Sequence, residues 1–226
     1  MSDKLNEVVI VGAVRTPIGT YKGSLKDIKV HLLGSAVINE VLKRSNIEHD
    51  EIDEVIMGQV LSAGSGQNPA RQAAVNAGIP VSKPAHIVNQ VCGSGLRAVI
   101  SGYQSIRLGE VKKVISGGQE NMSIAPHSIF LRDNKKISED KLVDTMIYDG
   151  LIDAFNSYHM GVTAENVAKK FNISREEQDN FALSSQNKAQ TAINNNKFKE
   201  EIIFIDPDGI NFKKDEHPRF GLELAD

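Results

Sequence analysis

Apolar residues along the first 120 positions alternate between an extended and a helical period, and this alternation leaves few architectures open. Residues 8–14 form a continuous apolar run ended by Arg15-Thr16-Pro17, the pattern of a strand buried on both faces of a parallel sheet. Leu32, Leu33, Ala36, Val37, Val41 and Leu42 then recur at helical spacing, and residues 54–61 give a second short strand. The turn Gly64-Ser65-Gly66-Gln67-Asn68-Pro69 places Asn68 as N-cap and Pro69 at the first position of a helix over 70–77. Residues 86–91 read as a third extended run. Leu96, Val99, Ile100, Tyr103 and Ile106 mark the next helix, starting at about Gly93, and residues 113–116 a fourth strand opening into Gly117-Gly118-Gln119-Glu120. Strands alternating with helices require right-handed crossovers. The expected class is therefore layered α/β, a mostly parallel sheet with helices on both faces and ligands at the carboxyl ends of its strands.

From about residue 121 the pattern changes. Residues 124–141 are polar and loop-like, and helices are expected over 142–155, over 163–171 and from Ser174 onward. Ser174-Arg175-Glu176-Glu177 fits a capping box, with Phe181, Ala182, Ser185, Ala189, Ala192 and Ile193 as the buried face of the last helix. Residues 202–205 add one short strand, followed by the turn Asp206-Pro207-Asp208-Gly209. The expected division is a 1–120 α/β core and a 121–226 mainly helical loop subdomain.

Composition excludes several function classes. With 226 residues, 40% of them hydrophobic and 24% charged, the chain can bury a sizeable core. A net charge of -3 gives no reason to expect nucleic acid or an anionic membrane as a partner. One cysteine rules out an internal disulfide framework and a cysteine-based zinc site. The opening Met1-Ser2-Asp3-Lys4-Leu5-Asn6-Glu7 lacks the features of a signal or transit peptide, and no apolar run reaches spanning length, so a cytoplasmic protein is expected.

Cys92 lies where an apolar strand becomes an apolar helix. At a helix N-terminus, unpaired N–H groups and the positive dipole end favour thiolate, the nucleophilic form. Gly93 and Gly95 strip side chains from around the sulfur, which lets an acyl group approach the backbone. On these residues alone a small buried hydrophobe and a nucleophile are equally good readings of Cys92.

Other motifs point away from chemistry. Gly64-x-Gly66 lacks the third glycine of a dinucleotide loop, and no phosphate-binding G-x-x-x-x-G-K-[ST] occurs. The six histidines show no metal-ligand spacing, and no metal is expected. His159, preceding Met160-Gly161 at a helix start, is the one placed to line a pocket. Asp50-Glu51-Ile52-Asp53-Glu54 reads as a solvated loop and Lys213-Lys214-Asp215-Glu216 as a charged surface turn.

Several runs taken together resemble the thiolase family. Val14-Arg15-Thr16-Pro17-Ile18-Gly19 is similar to its opening strand, Gly66-Gln67-Asn68-Pro69-Ala70-Arg71-Gln72-Ala73 to the start of its second helix, and Asn89-Gln90-Val91-Cys92-Gly93-Ser94-Gly95 to its nucleophile motif. Gly117-Gly118-Gln119-Glu120-Asn121-Met122-Ser123 resembles its glycine-rich turn, with Gln119 where methionine is more usual. Asp149-Gly150-Leu151-Ile152-Asp153-Ala154-Phe155 and His159-Met160-Gly161-Val162-Thr163-Ala164-Glu165-Asn166 look most like the biosynthetic, acetyl-CoA acetyltransferase branch.

The resemblance implies that Cys92 takes an acyl group as a thioester, its backbone N–H contributing to an oxyanion hole. A second acetyl-CoA, deprotonated at its methyl carbon, then attacks to give acetoacetyl-CoA, and the reverse reaction is thiolysis. It further implies coenzyme A as substrate and product with no covalently bound cofactor. Leu151, His159 and Met160 would line the pantetheine channel, and Arg219 would meet the nucleotide end as a phosphate or stacking partner. Assembly as a homo-dimer or homo-tetramer is implied as well. Family members are longer, with a second half carrying Gly-His-Pro, Asn-Glu-Ala-Phe and Cys-Gly-Gly-Gly motifs. None of these occurs here, so the expectation is an N-terminal portion without its fifth strand and C-terminal half, nearly inactive alone. The alternative is a non-catalytic CoA-binding or partner-associating remnant that needs a separate C-terminal half.

Overall fold

A computed structural model describes residues 7–132, 142–205 and 212–224. Its centre is a three-stranded parallel sheet of β1 (Glu54–Gly58), β2 (Ala85–Val88) and β3 (Val114–Gly118), in the order β2-β1-β3. Val55 pairs with Ala85 on one side and Ile115 on the other, so β1 is the only central strand of that sheet. Helices α1 (Val30–Ser45) and α2 (Pro69–Asn76) cover one face. There Ile38 and Leu42 meet Val55, Met57, Ala70, Ala73 and Ala74 in one buried cluster. α3 (Ser94–Leu108) covers the other face, with Gly102 against Val114 and Ser116 of β3. Helices on both faces of a parallel sheet are what the alternating periods demanded.

Local signals set the helix ends. The Asn68 side chain accepts from the Arg71 N–H and Pro69 opens α2. α1 ends on Asn46 in the left-handed region, whose N–H returns to Leu42 and Lys43. After β3 come the antiparallel pair β4 (His127–Ser128) and β5 (Val143–Asp144), then α4 (Thr145–Gly150), α5 (Met160–Phe171) and α6 (Arg175–Asn194). Ser174 and Glu177 form the expected capping box on α6.

Several expectations fail for identifiable reasons. Residues 8–14 form no strand: Val9 is 66%, Ile10 79% and Val11 67% exposed. A strand exists only with a ladder partner. Here, among the described residues, only Arg15 finds one, in an isolated parallel bridge to Ile202, while residues of the run and of β3 together line a cavity of about 350 Å³. The helix expected over 142–155 shortens to α4 because Asp153 captures the N–H groups of Phe155 and Asn156, a local bond that competes with helix. The expected buried face of α6 is buried nowhere. Ala189, Ala192 and Ile193 are half-buried, but Phe181 is 76% exposed and Ala182 and Ser185 are exposed as well, because an apolar period marks a face without supplying a surface to cover it.

Among the described residues, 202–205 make only the isolated bridges of Ile202 and Ile205, yet Ile203 and Ile205 are buried in a second cluster with Leu25 and Leu33. The turn expected at 206–209 lies outside the described residues. The acidic run at 50–54 is not a plain solvated loop. Ile52 is buried, and the Asp53 carboxylate accepts the N–H groups of Lys112 and Lys113, which ties the starts of β1 and β3 together.

Candidate active site

Cys92 sits in a tight turn between β2 and α3, just before the N-cap Gly93, and is exposed. Val91 immediately before it has φ +48°, a conformation that costs a β-branched residue about 1–2 kcal/mol. Two side chains hold it there. The Asn89 carbonyl oxygen accepts the Val91 N–H at 3.0 Å, and Ser94 Oγ accepts from Gln90 N–H at 2.9 Å while donating to Val91 O at 2.6 Å. The Gly93 and Ser94 N–H groups close the turn onto Gln90 and Val91 carbonyls at 3.0 and 3.1 Å. In the first turn of α3 the Gly95 and Leu96 N–H groups therefore have no acceptor within the helix. Gly95 faces open space: a Cβ there would meet nothing within 4 Å.

The start of α3 lies directly on the sheet because Gly58 ends β1. A Cβ at Gly58 would stand 2.4 Å from the Ser94 carbonyl carbon and 2.5 Å from the Gly95 nitrogen. Beside this contact a polar network fills the carboxyl ends of β1 and β3. Gln119 donates to Gln59 Oε1 at 2.8 Å, Gln59 donates to Leu61 O at 2.8 Å, and the Glu120 carboxylate accepts Val60 N–H at 2.8 Å. Burial pushes the Glu120 carboxyl up, partly offset by the Val60 and Leu61 N–H groups. Gln119 is buried, and its Oε1 has no hydrogen-bond partner among the described residues. No sequence pattern singled out this network.

Leu151, His159 and Met160 come together in one turn. Met160 N–H donates to Leu151 O at 2.8 Å, and His159 caps α5, its Nδ1 accepting the Gly161 N–H at 3.0 Å. This turn stands over the sheet's carboxyl end. A Cβ at Gly150 would meet Leu61 at 3.6 Å and one at Gly64 would meet Pro126 at 3.2 Å, so the chain around α4 overlies the turn that leaves β1. Cys92 leaves the same end of the neighbouring strand β2. Arg219 stands on a separate element. Its N–H donates to Gln186 of α6 at 2.9 Å and its side chain is exposed, with no hydrogen bond or ion pair to the Leu151–His159 turn or to Cys92 among the described residues.

The 213–216 run is the largest correction to the sequence reading. Asp215 is no surface charge: its side chain is 7% exposed and forms a two-pronged pair with Arg15, at 2.7 and 2.9 Å, while accepting Ile18 N–H at 2.8 Å. Arg15 also bonds Glu201 at 2.7 Å. A spacing rule cannot find a partner 200 residues away. No cluster of ligand-type residues that could hold a metal occurs among the described residues.

Comparison with known proteins decides the family. A family profile described as "Thiolase, N-terminal domain" matches residues 8–225. The chain belongs to the thiolase family. Acetyl-CoA acetyltransferase of Rhizobium meliloti (strain 1021) is 51% identical over 96% of this chain and 56% of its own length. Its counterpart in Pseudomonas aeruginosa is also 51% identical, over 97% of this chain and 58% of its own. A rat protein named "Acetyl-CoA acetyltransferase, cytosolic" is 50% identical over 96% and 56%. The chain thus spans little more than half the length of these relatives. The parallel sheet clad by helices is this thiolase-family chain's share of the layered α/β fold expected above. No helix among the described residues is long and apolar enough to cross a membrane.

Proposed function

We propose that this thiolase-family chain carries the acyl-transfer half of an acetyl-CoA acetyltransferase, with Cys92 as acyl carrier. The observation that bears this reading is the exposed thiol on a strained turn, at the carboxyl end of a parallel sheet and beside a glycine that leaves open space. Cys92 Sγ, as thiolate, attacks the carbonyl carbon of acetyl-CoA. The electron pair of that carbonyl moves onto its oxygen, close to backbone N–H donors of the Cys92 turn, and returns as the C–S bond to CoA breaks. The products are acetyl-Cys92 and CoA thiolate, which takes a proton from solvent.

The chain spans little more than half of relatives named acetyl-CoA acetyltransferase, and among its described residues no hydrogen bond joins Cys92 Sγ to a base. Removing the base from such a nucleophile slows its attack by several orders of magnitude, so slow acetylation of Cys92 and no condensation are expected of these residues assayed by themselves. In the full reaction a second acetyl-CoA, losing a methyl proton, attacks acetyl-Cys92 to give acetoacetyl-CoA and free Cys92. Leu151, His159 and Met160 line the pantetheine arm and Arg219 meets the nucleotide end. CoA enters as substrate and leaves as product, and no bound cofactor is required. A cytoplasmic site of action, supported by the name of the rat relative, and assembly into homo-dimers or homo-tetramers complete the reading.

Incubation with acetyl-CoA and intact-mass measurement test it. One acetyl group is expected on the wild-type chain and none on Cys92→Ser, without acetoacetyl-CoA. Turnover at the roughly 1–1,000 s⁻¹ of ordinary enzymes refutes the half-reaction assignment. CoA binding without acetylation favours a non-catalytic CoA-binding module instead.

A further inference from the structure

We infer that Asp215 and Glu216 are positioning residues which, anchored by Arg15, hold Arg219 where it grips the phosphate-bearing end of CoA. The inference rests on the CoA reading above but concerns residues that no motif or relative assigns.

Two adjacent carboxylates normally both face water, because each must be solvated or paired. Here both turn inward onto the same loop. Asp215 takes both terminal nitrogens of Arg15 and the Ile18 N–H. Glu216 accepts Thr20 N–H at 3.0 Å and Ser24 N–H at 3.2 Å, and takes the hydroxyls of Thr20 and Ser24. The Glu216 N–H donates to Ile18 O at 3.0 Å, which adds a backbone clamp. Gly23 makes room for this, since a Cβ there would fall 2.2 Å from Glu216 Oε2. Three residues later Gln186 fixes the Arg219 N–H. The 215–219 run is therefore pinned at both ends, to the N-terminal loop and to α6, while the Arg219 side chain stays exposed. A guanidinium on a fixed backbone loses less freedom on gripping phosphate than one on a loose tail. This arrangement costs two inward-turned carboxylates, more than a mere surface turn requires.

The test compares equilibrium binding of CoA and of pantetheine, which lacks the nucleotide, by calorimetry on the whole chain. Wild type is expected to prefer CoA by about tenfold or more, the scale of a charged hydrogen bond, and Arg219→Ala to lose that preference. Asp215→Asn and Gln186→Ala, which loosen opposite ends of the run, are each expected to lose most of it. Gln186→Ala serves if the Asp215 variant fails to fold. Hydrogen exchange at residues 217–221 should rise in both.

The decisive comparison is the double variant Gln186→Ala/Arg219→Ala. If the anchor acts through Arg219, the double variant discriminates no worse than Arg219→Ala alone. Additive losses, a preserved CoA preference in the anchor variants, or no preference in wild type each overturn the inference. Absence of Cys92 acetylation by acetyl-pantetheine would instead count against the acyl-transfer reading and leave this comparison decisive on its own.

Discussion

Replacing Gly58 by alanine tests how the nucleophile turn is held. The added Cβ would lie 2.4 Å from the Ser94 carbonyl carbon, 2.5 Å from the Gly95 nitrogen and 2.7 Å from the Ser94 oxygen. That is about 1 Å short of ordinary carbon contact at ~3.5 Å. All three atoms are backbone, so no rotamer change relieves the clash and the first turn of α3 must slide off the sheet. Overpacking of this kind costs about 1–3 kcal/mol. For a chain of this size each kcal/mol lowers Tm by about 2–4 °C, giving a fall of roughly 2–12 °C.

Cys92 moves with the turn, and a 1 Å displacement costs up to about 100-fold in an oriented reaction, so acetylation by acetyl-CoA should slow far more than stability falls. Gly95→Ala is the internal control. Its Cβ meets open space, and alanine in a helix gains up to about 1 kcal/mol over glycine, so its Tm should hold or rise. Thermal melts and a time course of intact mass read both effects. A Gly58→Ala protein that melts with wild type and acetylates at its rate would refute the argument.

Two further outcomes follow from the geometry. Val91→Gly removes the φ penalty at an exposed side chain and should stabilise the chain by about 1 kcal/mol in urea unfolding, yet slow Cys92 acetylation because the turn is then less fixed. Burial pushes the Asp215 carboxyl up, but Arg15 and the Ile18 N–H outweigh it and hold the group below its ordinary 3.8. A depressed carboxyl contributes stability that is complete above the ordinary value and is lost as pH falls through the lower folded one. Between pH 5 and 2.5 wild type should therefore lose more unfolding free energy than Asp215→Asn, and equal losses would remove the pair from the acid response.

What the sequence disclosed was mostly local. Asn68 and Pro69 announce α2, and Ser174 with Glu177 announces α6, because each cap is completed within three residues of its start. The alternation of periods likewise predicted the parallel sheet and put Cys92 at its carboxyl end. Partners far along the chain were not legible. The 8–14 run is apolar enough for a central strand, but hydropathy carries no information about which backbone will pair with it. Asp215 and Glu216 follow two lysines and look solvated until Arg15 and the 18–24 loop fold against them. Phe181 stands on the apolar stripe of α6 and remains exposed, because periodicity names a face without supplying what covers it. Family likeness led to Leu151, His159 and Met160 as candidates, and the structure adds why these three meet: one antiparallel bridge between Ile152 and His159.

The Arg15–Asp215 pair joins residues 200 positions apart. A ribosome adding about 5–20 residues per second exposes the arginine roughly 10–40 s before its carboxylate is even synthesised. Throughout that interval the sheet and its first helices can form from contacts close in sequence, while the loop at 15–24 waits undocked. Synthesis thus orders assembly: the segment that carries Cys92 is built early, and the clasp over the N-terminal loop can close only after Asp215 has been added.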